Sequence, residues 1–449
     1  MSIAVEIDGD NRKDGLASIK LAGPDVTGTE VDLPFKELYR SLGSPDAMAL
    51  DLLMVAGACY VIDKSVLRRP APDAWTRNLE VSFPVSDPKR WKKVSPALDT
   101  ALTFLSGDVW KTSFRAKESE LFIAPKLRKT KQAVLPGQPT EFHAVTLFSG
   151  GLDSLIGSID YLEKHPNKNL ILMGHYDTSG PRSQQITLHE KLRLNYPNRT
   201  KLIQVRVAKR PAKNEEPSLR SRSVVFLALG LYAAIESGGE IPLLAPENGL
   251  IALNLPLTLS RVGSCSTRTM HPFYLNRFRE IVAGLGIENK ITNPLELKTK
   301  ADWVSECLNR DLLKAMGPYT VSCAHGARRQ NWVRKKGVGN CGYCVPCLFR
   351  RASFHALGCD AGLEYGIDVC ADELTVSSPL DSADDIRALT SCIRANRTVP
   401  EIRKAITAVA SIEPLDAYTA MVKRGHDQIR TWIKDKGSTS LRQAAGITK

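Results

Sequence analysis

Six consecutive residues near the middle of the chain have types and an order suited to binding a nucleotide: Ser149, Gly150, Gly151, Leu152, Asp153 and Ser154. The apolar run 144–148 before them is typical of a buried strand, and apolar residues recur at helical spacing from 152 to 162. The strand leads through a glycine turn into a helix N-terminus, where unpaired N–H groups and the helix dipole favour an anion. Glycine lets the backbone approach phosphate oxygens, and Asp153 can hold Mg²⁺. The pattern predicts a nucleotide-phosphate site; the alternative is an ordinary turn of small residues.

Four cysteines form a second group with chemical potential: Cys323, Cys341, Cys344 and Cys347. The last three make two overlapping C-x-x-C pairs, a spacing at which thiolates converge on one tetrahedral ion. Four cysteine ligands leave no open position, so a Zn²⁺ here would be structural. An iron–sulfur cluster is the alternative metal centre, since four cysteines serve both. Five basic residues between the first and second cysteine could bind phosphate, RNA or an acidic partner, or form a solvated loop: Arg328, Arg329, Arg334, Lys335 and Lys336.

The elements that must position the glycine turn alternate along the chain. Apolar runs at 170–173, 201–207 and 242–244 resemble further strands, and 224–235 resembles a helix. Such alternation predicts an α/β parallel sheet with helices on both faces. Ligands bind at the carboxyl ends of such strands. The polar segments that follow the strands, at 174–177, 209–222 and 246–249, are therefore expected to gather at one edge with the glycine turn.

Five residues in these segments and in the loop 263–272 are candidates for binding or catalysis: Arg222, Glu247, Asn248, Arg268 and His271. Arg222 could clamp a phosphate or carboxylate, or be a solvated arginine. Glu247 and Asn248 could coordinate Mg²⁺ or read a base edge, or simply form a turn. Arg268 and His271 belong to a polar loop that could contact the substrate, the alternative being a surface loop.

Composition bounds the class of protein. The chain has 449 residues, 43% hydrophobic and 24% charged, and a formal net charge of +13. These values predict a globular protein of several domains, and without a long run of Lys and Arg the charge alone does not indicate nucleic-acid binding. The longest apolar stretches fall short of the roughly 20 residues of a membrane span. Ten cysteines without a secretion signal favour a reducing compartment, so we expect a cytoplasmic protein without a membrane partner.

Composition and motif placement divide the chain into four expected segments. These are an α+β accessory or partner-docking domain at 1–140, an ATP-binding domain at 141–322, a zinc-binding segment at 323–358 and a helical region at 359–449. The first segment has no chemical motif. Its tryptophans Trp75, Trp91 and Trp110 are expected in the core, with a contact surface as the alternative.

The glycine turn resembles the SGGxDS loop of the PP-loop ATP pyrophosphatase superfamily. Together with Cys323 and the motif C-G-x-C-x-x-C, it resembles the 7-cyano-7-deazaguanine synthase (QueC-like) family. Arg350, Phe354 and Gly358 continue that family's pattern after the cysteines. Lys300 resembles its P…TK segment, and Arg222 its Arg-Asn helix start, although Ser223 stands where asparagine is usual. The resemblance covers about residues 142–358.

The resemblance implies a PP-loop (adenine nucleotide α hydrolase-like) fold and a reaction. ATP is cleaved between its α and β phosphates, the carboxylate of 7-carboxy-7-deazaguanine is adenylated, and ammonia displaces AMP to give an amide. A second adenylation and dehydration give the nitrile. By the same resemblance, residues 149–154 hold pyrophosphate and Mg²⁺, while Arg222 and Lys300 join Asp153 in catalysis by stabilising charge on phosphate. The four cysteines hold a structural zinc.

Departures from the family leave the substrate and acceptor open. The region 247–272 differs from the family's substrate segment, and the first 140 and last 90 residues are additions. Enlarged proteins of this kind resemble the QueC-like component of the Qat anti-phage system. The acceptor is then either ammonia or an amine of a protein partner encoded nearby; family members often form homodimers. The alternatives are a PP-loop tRNA-modifying enzyme, with nucleic acid as the less favoured partner, and a non-catalytic nucleotide-binding scaffold.

Overall fold

The computed structural model describes most of the chain. The described residues are 1–7, 17–43, 45–123, 139, 141–177, 179–210, 215–261, 268–325 and 338–447. The basic residues at 328–336 and most of the loop before Arg268 lie outside them. Within the described residues, no helix combines the length and apolarity needed to cross a membrane.

The first third of the chain forms a sheet covered by helices. Its elements are β1 (Ser2–Ile7), β2 (Ala17–Ala22), β3 (Thr29–Leu33), α1 (Phe35–Leu42), α2 (Ala47–Ser65), β4 (Asn78–Val85), α3 (Pro88–Ser106) and β5 (Val109–Ala116). The strands lie in the order β5-β4-β1-β2-β3, with β1 and β5 parallel to β4 and the others antiparallel. The strand predicted at 78–85 is confirmed, and its apolar residues alternate with the period of two that is typical of a strand. Trp91 and Trp110 are buried, whereas Trp75 is 40% exposed.

The middle of the chain alternates strands and helices. Its elements are β6 (Ala144–Leu147), α4 (Leu152–Lys164), β7 (Leu170–His175), α5 (Ser179–Asn195), β8 (Thr200–Val205), β9 (Ala208–Arg210), α6 (Arg222–Glu236), β10 (Leu243–Leu244), α7 (Gly249–Leu253), α8 (Pro272–Gly284), β11 (Ile291–Thr292), α9 (Lys300–Glu306) and α10 (Arg310–Met316). Five of these strands form a wholly parallel sheet in the order β11-β10-β6-β7-β8. The predicted parallel sheet is confirmed.

Helices cover both faces of the parallel sheet. Along β6, Ala144 packs with the core formed by α4 and α5, and the next residue, Val145, packs with the core that contains α6. Leu170 and Ile171 of β7 divide in the same way, as the period of a strand requires. The chain is therefore an α/β protein, as the alternation of elements predicts.

The two sheets share one hydrophobic core. Strand β9 follows β8 of the parallel sheet in the chain but belongs to the mixed sheet. It pairs antiparallel with the edge strand β3, with Arg210 opposite Glu30. Helix α2 packs against α6, and sixteen of its nineteen residues are buried. One cluster of buried apolar residues runs from the mixed sheet through these helices to the parallel sheet. The division of the chain at residue 140 stays a prediction, and this core crosses it.

The last part of the chain is helical. Its helices are α11 (Val345–Ala356), α12 (Asp384–Ala395), α13 (Val399–Val409), α14 (Leu415–Lys436) and α15 (Thr439–Ala444). Helix α11 begins at the cysteine motif and packs on α9 and α14. Trp432 and Ile433 of α14 share a core with Cys344 and Cys347, so the helical region covers the cysteine segment.

Candidate functional site

The carboxyl ends of the neighbouring parallel strands β6 and β10 lie side by side at one edge of the sheet, and this place is called the crevice. The chain continues from β6 to β7 on one side, whereas β10 and β11 lie on the other. The strand order therefore reverses between β6 and β10, which is where open α/β sheets bind ligands. The glycine turn follows β6, and Glu247 and Asn248 follow β10. The sheet thus brings two of the predicted segments to one place.

The glycine turn is held in a conformation that requires glycine. Gly150 has φ +85°, and an added Cβ would lie 3.3 Å from Gln184. The Gln184 amide donates to the Gly150 carbonyl (2.9 Å), as does the Val321 N–H (3.1 Å). At the start of α4, the Leu152 N–H donates to the Ser322 hydroxyl at 3.2 Å. The segment before Cys323 therefore lies directly over the turn.

Asp153 and Lys300 form a buried ion pair at the crevice. Lys300 Nζ lies 2.5 Å from Asp153 Oδ1, and their side chains are only 5% and 10% exposed. The Asn248 side-chain amide donates to Asp153 Oδ2 at 2.8 Å, and Asn248 also caps α7 by accepting from Ile251 N–H. Asp153, Asn248 and Lys300 come from three separate elements, so the fold creates this group.

The group contains two acidic side chains and one basic side chain. Burial opposes ionisation of Asp153, but the charge of Lys300 and the hydrogen bonds outweigh it and lower the pKa of this carboxyl. Burial and the adjacent Asp153 carboxylate raise the pKa of Glu247 to about 8. Two carboxyls thus face one lysine, a donor set that fits a hard divalent cation.

Two connections fix the far side of this group. Asn293, just after β11, accepts from the Glu247 N–H and donates to its carbonyl (3.2 and 2.8 Å). Lys300 opens α9, whose first turn is fixed by a capping box between Thr299 and Asp302. Asn293 was not among the site residues predicted from the sequence. The signal that could have identified it was its position just after a short strand and before a proline.

Arg222 lies in a second polar group, at the end of β7. Its Nε is 3.4 Å from Asp177 Oδ2, and its guanidinium lies over the Phe226 ring. The Tyr60 hydroxyl donates to the same carboxylate at 3.1 Å. The contacts of Arg222 are therefore with Asp177 and Phe226 rather than with Asp153, and Asp177 in turn joins Arg222 to Tyr60 in the first third of the chain.

Arg268 and His271 both contact Phe104 on α3. The Arg268 guanidinium donates to the Phe104 carbonyl at 3.1 Å, and the His271 ring lies 4.9 Å from the Phe104 ring. His271 caps α8 by accepting from the Phe273 N–H, and burial lowers its pKa to about 3. These two residues join α8 to the first third of the chain, away from Glu247 and Asn248.

The four cysteines come together. Their sulfurs all lie within 4.8 Å of one another, with 3.8 Å between Cys341 and Cys347 and 4.0 Å between Cys323 and Cys344. A tetrahedral ion with bonds of about 2.3 Å needs sulfurs about 3.8 Å apart. Burial raises the pKa of the Cys341 thiol, so four thiolates here require a cation to balance them. The cluster can hold a metal ion such as zinc.

Buried polar residues connect the cysteine segment to the glycine turn. Arg350 on α11 donates to the Thr320 hydroxyl (2.6 Å) and the Gly317 carbonyl (2.7 Å). Asn340, next to Cys341, accepts from the Ser322 N–H at 3.0 Å. Because Ser322 in turn accepts from Leu152, the two motifs are joined by a continuous series of hydrogen bonds.

Comparisons with protein-family models, with curated proteins and with solved structures return no match. The function is therefore argued from the geometry of these sites.

Proposed function

We propose that the chain is a PP-loop enzyme that uses ATP to adenylate a carboxylate of the 7-deazaguanine type, releasing pyrophosphate. An amine, from ammonia or from a protein, then displaces AMP. The observation that carries this proposal is the Asp153–Lys300–Asn248 group beside the glycine turn, at the reversal point of a parallel sheet.

The arrangement suits phosphate better than it suits a purely structural turn. Gly151 N–H and Leu152 N–H donate only to hydroxyl oxygens, each at 3.2 Å, and a phosphate oxygen can replace these acceptors. Ser149 is exposed beside them. Lys300 is buried and paired at the helix start, where its charge can stabilise charge that develops on the α-phosphate.

The first step forms one bond and breaks one. A carboxylate oxygen of the substrate attacks the α-phosphorus of ATP, the bond to the β-phosphate oxygen breaks, and pyrophosphate leaves. The glycine turn binds the leaving pyrophosphate, and Lys300 holds the α-phosphate. Asp153 and Glu247 are the residues that would hold Mg²⁺, which neutralises phosphate charge when bound.

The second step transfers the acyl group. The amine nitrogen attacks the acyl carbon, the bond to the AMP oxygen breaks, and the nitrogen loses a proton to give an amide. The acyl-adenylate must be shielded from water until the amine arrives. The segment at 320–323, which lies over the glycine turn, is placed to provide this cover.

The cysteine cluster supports a single zinc ion rather than an iron–sulfur cluster. An iron–sulfur cluster places iron and sulfide between its cysteines, which requires more widely spaced sulfurs than a single ion does. The sulfurs here lie within 4.8 Å of one another. Metal analysis that finds one zinc per chain without sulfide supports this assignment; iron with sulfide favours the tRNA-modifying alternative.

Nucleotide product analysis tests the proposed reaction. Purified protein, ATP, Mg²⁺ and ammonium are incubated with and without 7-carboxy-7-deazaguanine, and AMP and pyrophosphate are quantified. We expect AMP that depends on the acid and is lost in Asp153→Ala. The exposed Asp25→Ala variant is the matched control and should retain activity.

Three other outcomes contradict this proposal in different ways. AMP that depends on tRNA instead of the acid favours the tRNA-modifying alternative. Nucleotide binding without AMP under any condition favours a non-catalytic scaffold. Full activity in Asp153→Ala removes the Asp153 group from the mechanism.

A further inference from the structure

A cavity of 570 Å³ lies where all four expected segments of the chain meet. Arg68 and Trp75 come from the first segment, Arg220 and Ile251 from the second, Val345 from the cysteine motif and Asp385 from the helical region. Its volume is within the range of small-molecule sites, and most of its lining is apolar.

The cavity adjoins both motifs described above. Ile251 belongs to α7, the helix that begins at Asn248 and hence at the Asp153 group. Ala324 follows Cys323 and lies two residues after Ser322, which contacts the start of α4. Val345 lies between Cys344 and Cys347. A molecule in the cavity therefore contacts α7, which begins at the Asp153 group, and residues next to Cys323 and Cys344.

Trp75 is held partly exposed in the cavity wall. The residue before it, Ala74, has φ +55°, a conformation that costs energy for a residue with a side chain. The Trp75 backbone N–H donates to the Asp73 carboxylate, and the Trp75 backbone carbonyl accepts from the Arg68 guanidinium at 2.9 Å. This strained turn leaves Trp75 40% exposed, whereas the other two tryptophans in the first third of the chain are buried.

Two arginines lie on the Trp75 ring. The guanidinium carbons of Arg68 and Arg220 are 4.9 and 5.1 Å from its centroid. Arg68 pairs with the buried Asp108 at 2.9 Å. Arg220 lines the cavity beside the ring, and burial lowers its pKa together with the like charges of Arg68 and Arg268, against the attraction of Asp63 and Asp108.

We infer that this cavity binds the acid that is adenylated, a planar aromatic carboxylate, and that the first third of the chain supplies its recognition wall. This inference rests on the proposed function. The ring of the acid lies against Trp75, the apolar side chains surround its edges, and Arg220 balances its negative charge. The first segment is thus part of the binding site rather than a separate accessory domain.

Equilibrium binding tests the inference without turnover. The full chain is titrated by calorimetry with 7-carboxy-7-deazaguanine in the presence of a non-hydrolysable ATP analogue. We expect Trp75→Ala and Arg220→Gln each to raise the Kd of the acid at least tenfold, and Trp75→Phe to restore much of the affinity. Arg193→Gln, an exposed arginine on α5, is the matched control and should bind as the wild type does.

Two further measurements separate folding and turnover from binding. Affinity for the ATP analogue should stay within twofold in every variant, which shows that each variant is folded. Asp153→Ala should bind the acid but form no AMP. If the cavity variants lose acid binding and the wild type forms no AMP, the cavity is supported as the binding site and the proposed reaction is contradicted. Unchanged acid affinity in both cavity variants, or no binding of the acid to the wild type, overturns the inference.

Discussion

Two groups of buried charged residues differ in how their charges balance. In the first third of the chain, Asp63 and Asp108 face Arg68 and Arg77, two acids against two bases. At the crevice of the parallel sheet, Asp153 and Glu247 face one base, Lys300, among the residues that the structure describes. Each group joins elements distant in sequence, but only the first has equal numbers of acidic and basic side chains.

The hydrogen bonds follow the same difference. Arg77 donates to both aspartates and to the carbonyls of Asp63 and Val66, so its donors are matched within the protein. The pKa of Asp108 is lowered because the pairing with Arg77 outweighs burial, whereas the pKa of Glu247 is raised. Removing one partner of a buried, balanced group is strongly destabilising, whereas a buried carboxyl with a raised pKa beside a glycine turn is suited to a ligand that completes the site.

The largest expected effect is at the unbalanced group. Lys300→Met removes the lysine that pairs with Asp153, so AMP formation should fall on the order of a thousandfold because charge on the α-phosphate is no longer stabilised. The free energy of unfolding should change less than activity does, since the Glu247 carboxyl has a raised pKa and can hydrogen-bond to the Asp153 carboxylate. AMP assays and denaturant unfolding check this. Strong destabilisation with unchanged AMP formation would show that this group serves stability rather than catalysis.

The balanced group should show the opposite behaviour. Arg77→Met leaves Asp63 and Asp108 partly unpaired in the interior and should lower the free energy of unfolding by about 3 kcal/mol. AMP formation per folded molecule should stay within a few-fold. Urea unfolding measures the loss, and Lys111→Met, which breaks an exposed pair with Glu80, is the control and should leave stability unchanged. Loss of activity without loss of stability would contradict the structural role.

A smaller, pH-dependent effect is expected at His271. Its pKa is about 3 in the fold and 6.5 when unfolded, so the unfolded chain binds the proton first and stability falls as the pH drops below 6.5. His271→Asn keeps a side chain that can cap α8 and removes the group whose protonation makes stability depend on pH. Between pH 8 and pH 5 the variant should lose about 2 kcal/mol less than the wild type. Identical pH profiles in thermal unfolding would show that His271 is not a buried, neutral cap.

The sequence was informative where structure is local. The strand, glycine turn and helix at 144–162 follow from residue types alone, and the cysteine spacing predicts a cluster. The long helix α5 has no apolar periodicity strong enough to predict it, since only three of its residues are buried. The three hairpin strands at the start were missed as well, although β1, β2 and β3 pair with one another in sequence order.

Contacts between distant residues were beyond local patterns. Lys300 and Asp153 are 147 positions apart, and only the family resemblance singled out Lys300. Arg222 was expected at phosphate because a guanidinium can clamp phosphate bidentately and because the family resemblance singled it out. Its observed partner, Asp177, could not be distinguished from other acidic residues without knowing which strand ends are neighbours. Trp75 was assigned to the core by residue type, whereas a strained turn keeps it exposed.

The shared core has a consequence for synthesis on the ribosome. Helix α2 is apolar on nearly all sides and ends at Ser65, but α6, against which it packs, ends at Glu236. The intervening 171 residues take roughly 10–30 s to translate at typical rates. During that interval the nascent chain presents an uncovered apolar helix and an open edge at β3, so its early folding should depend on chaperones that bind such surfaces.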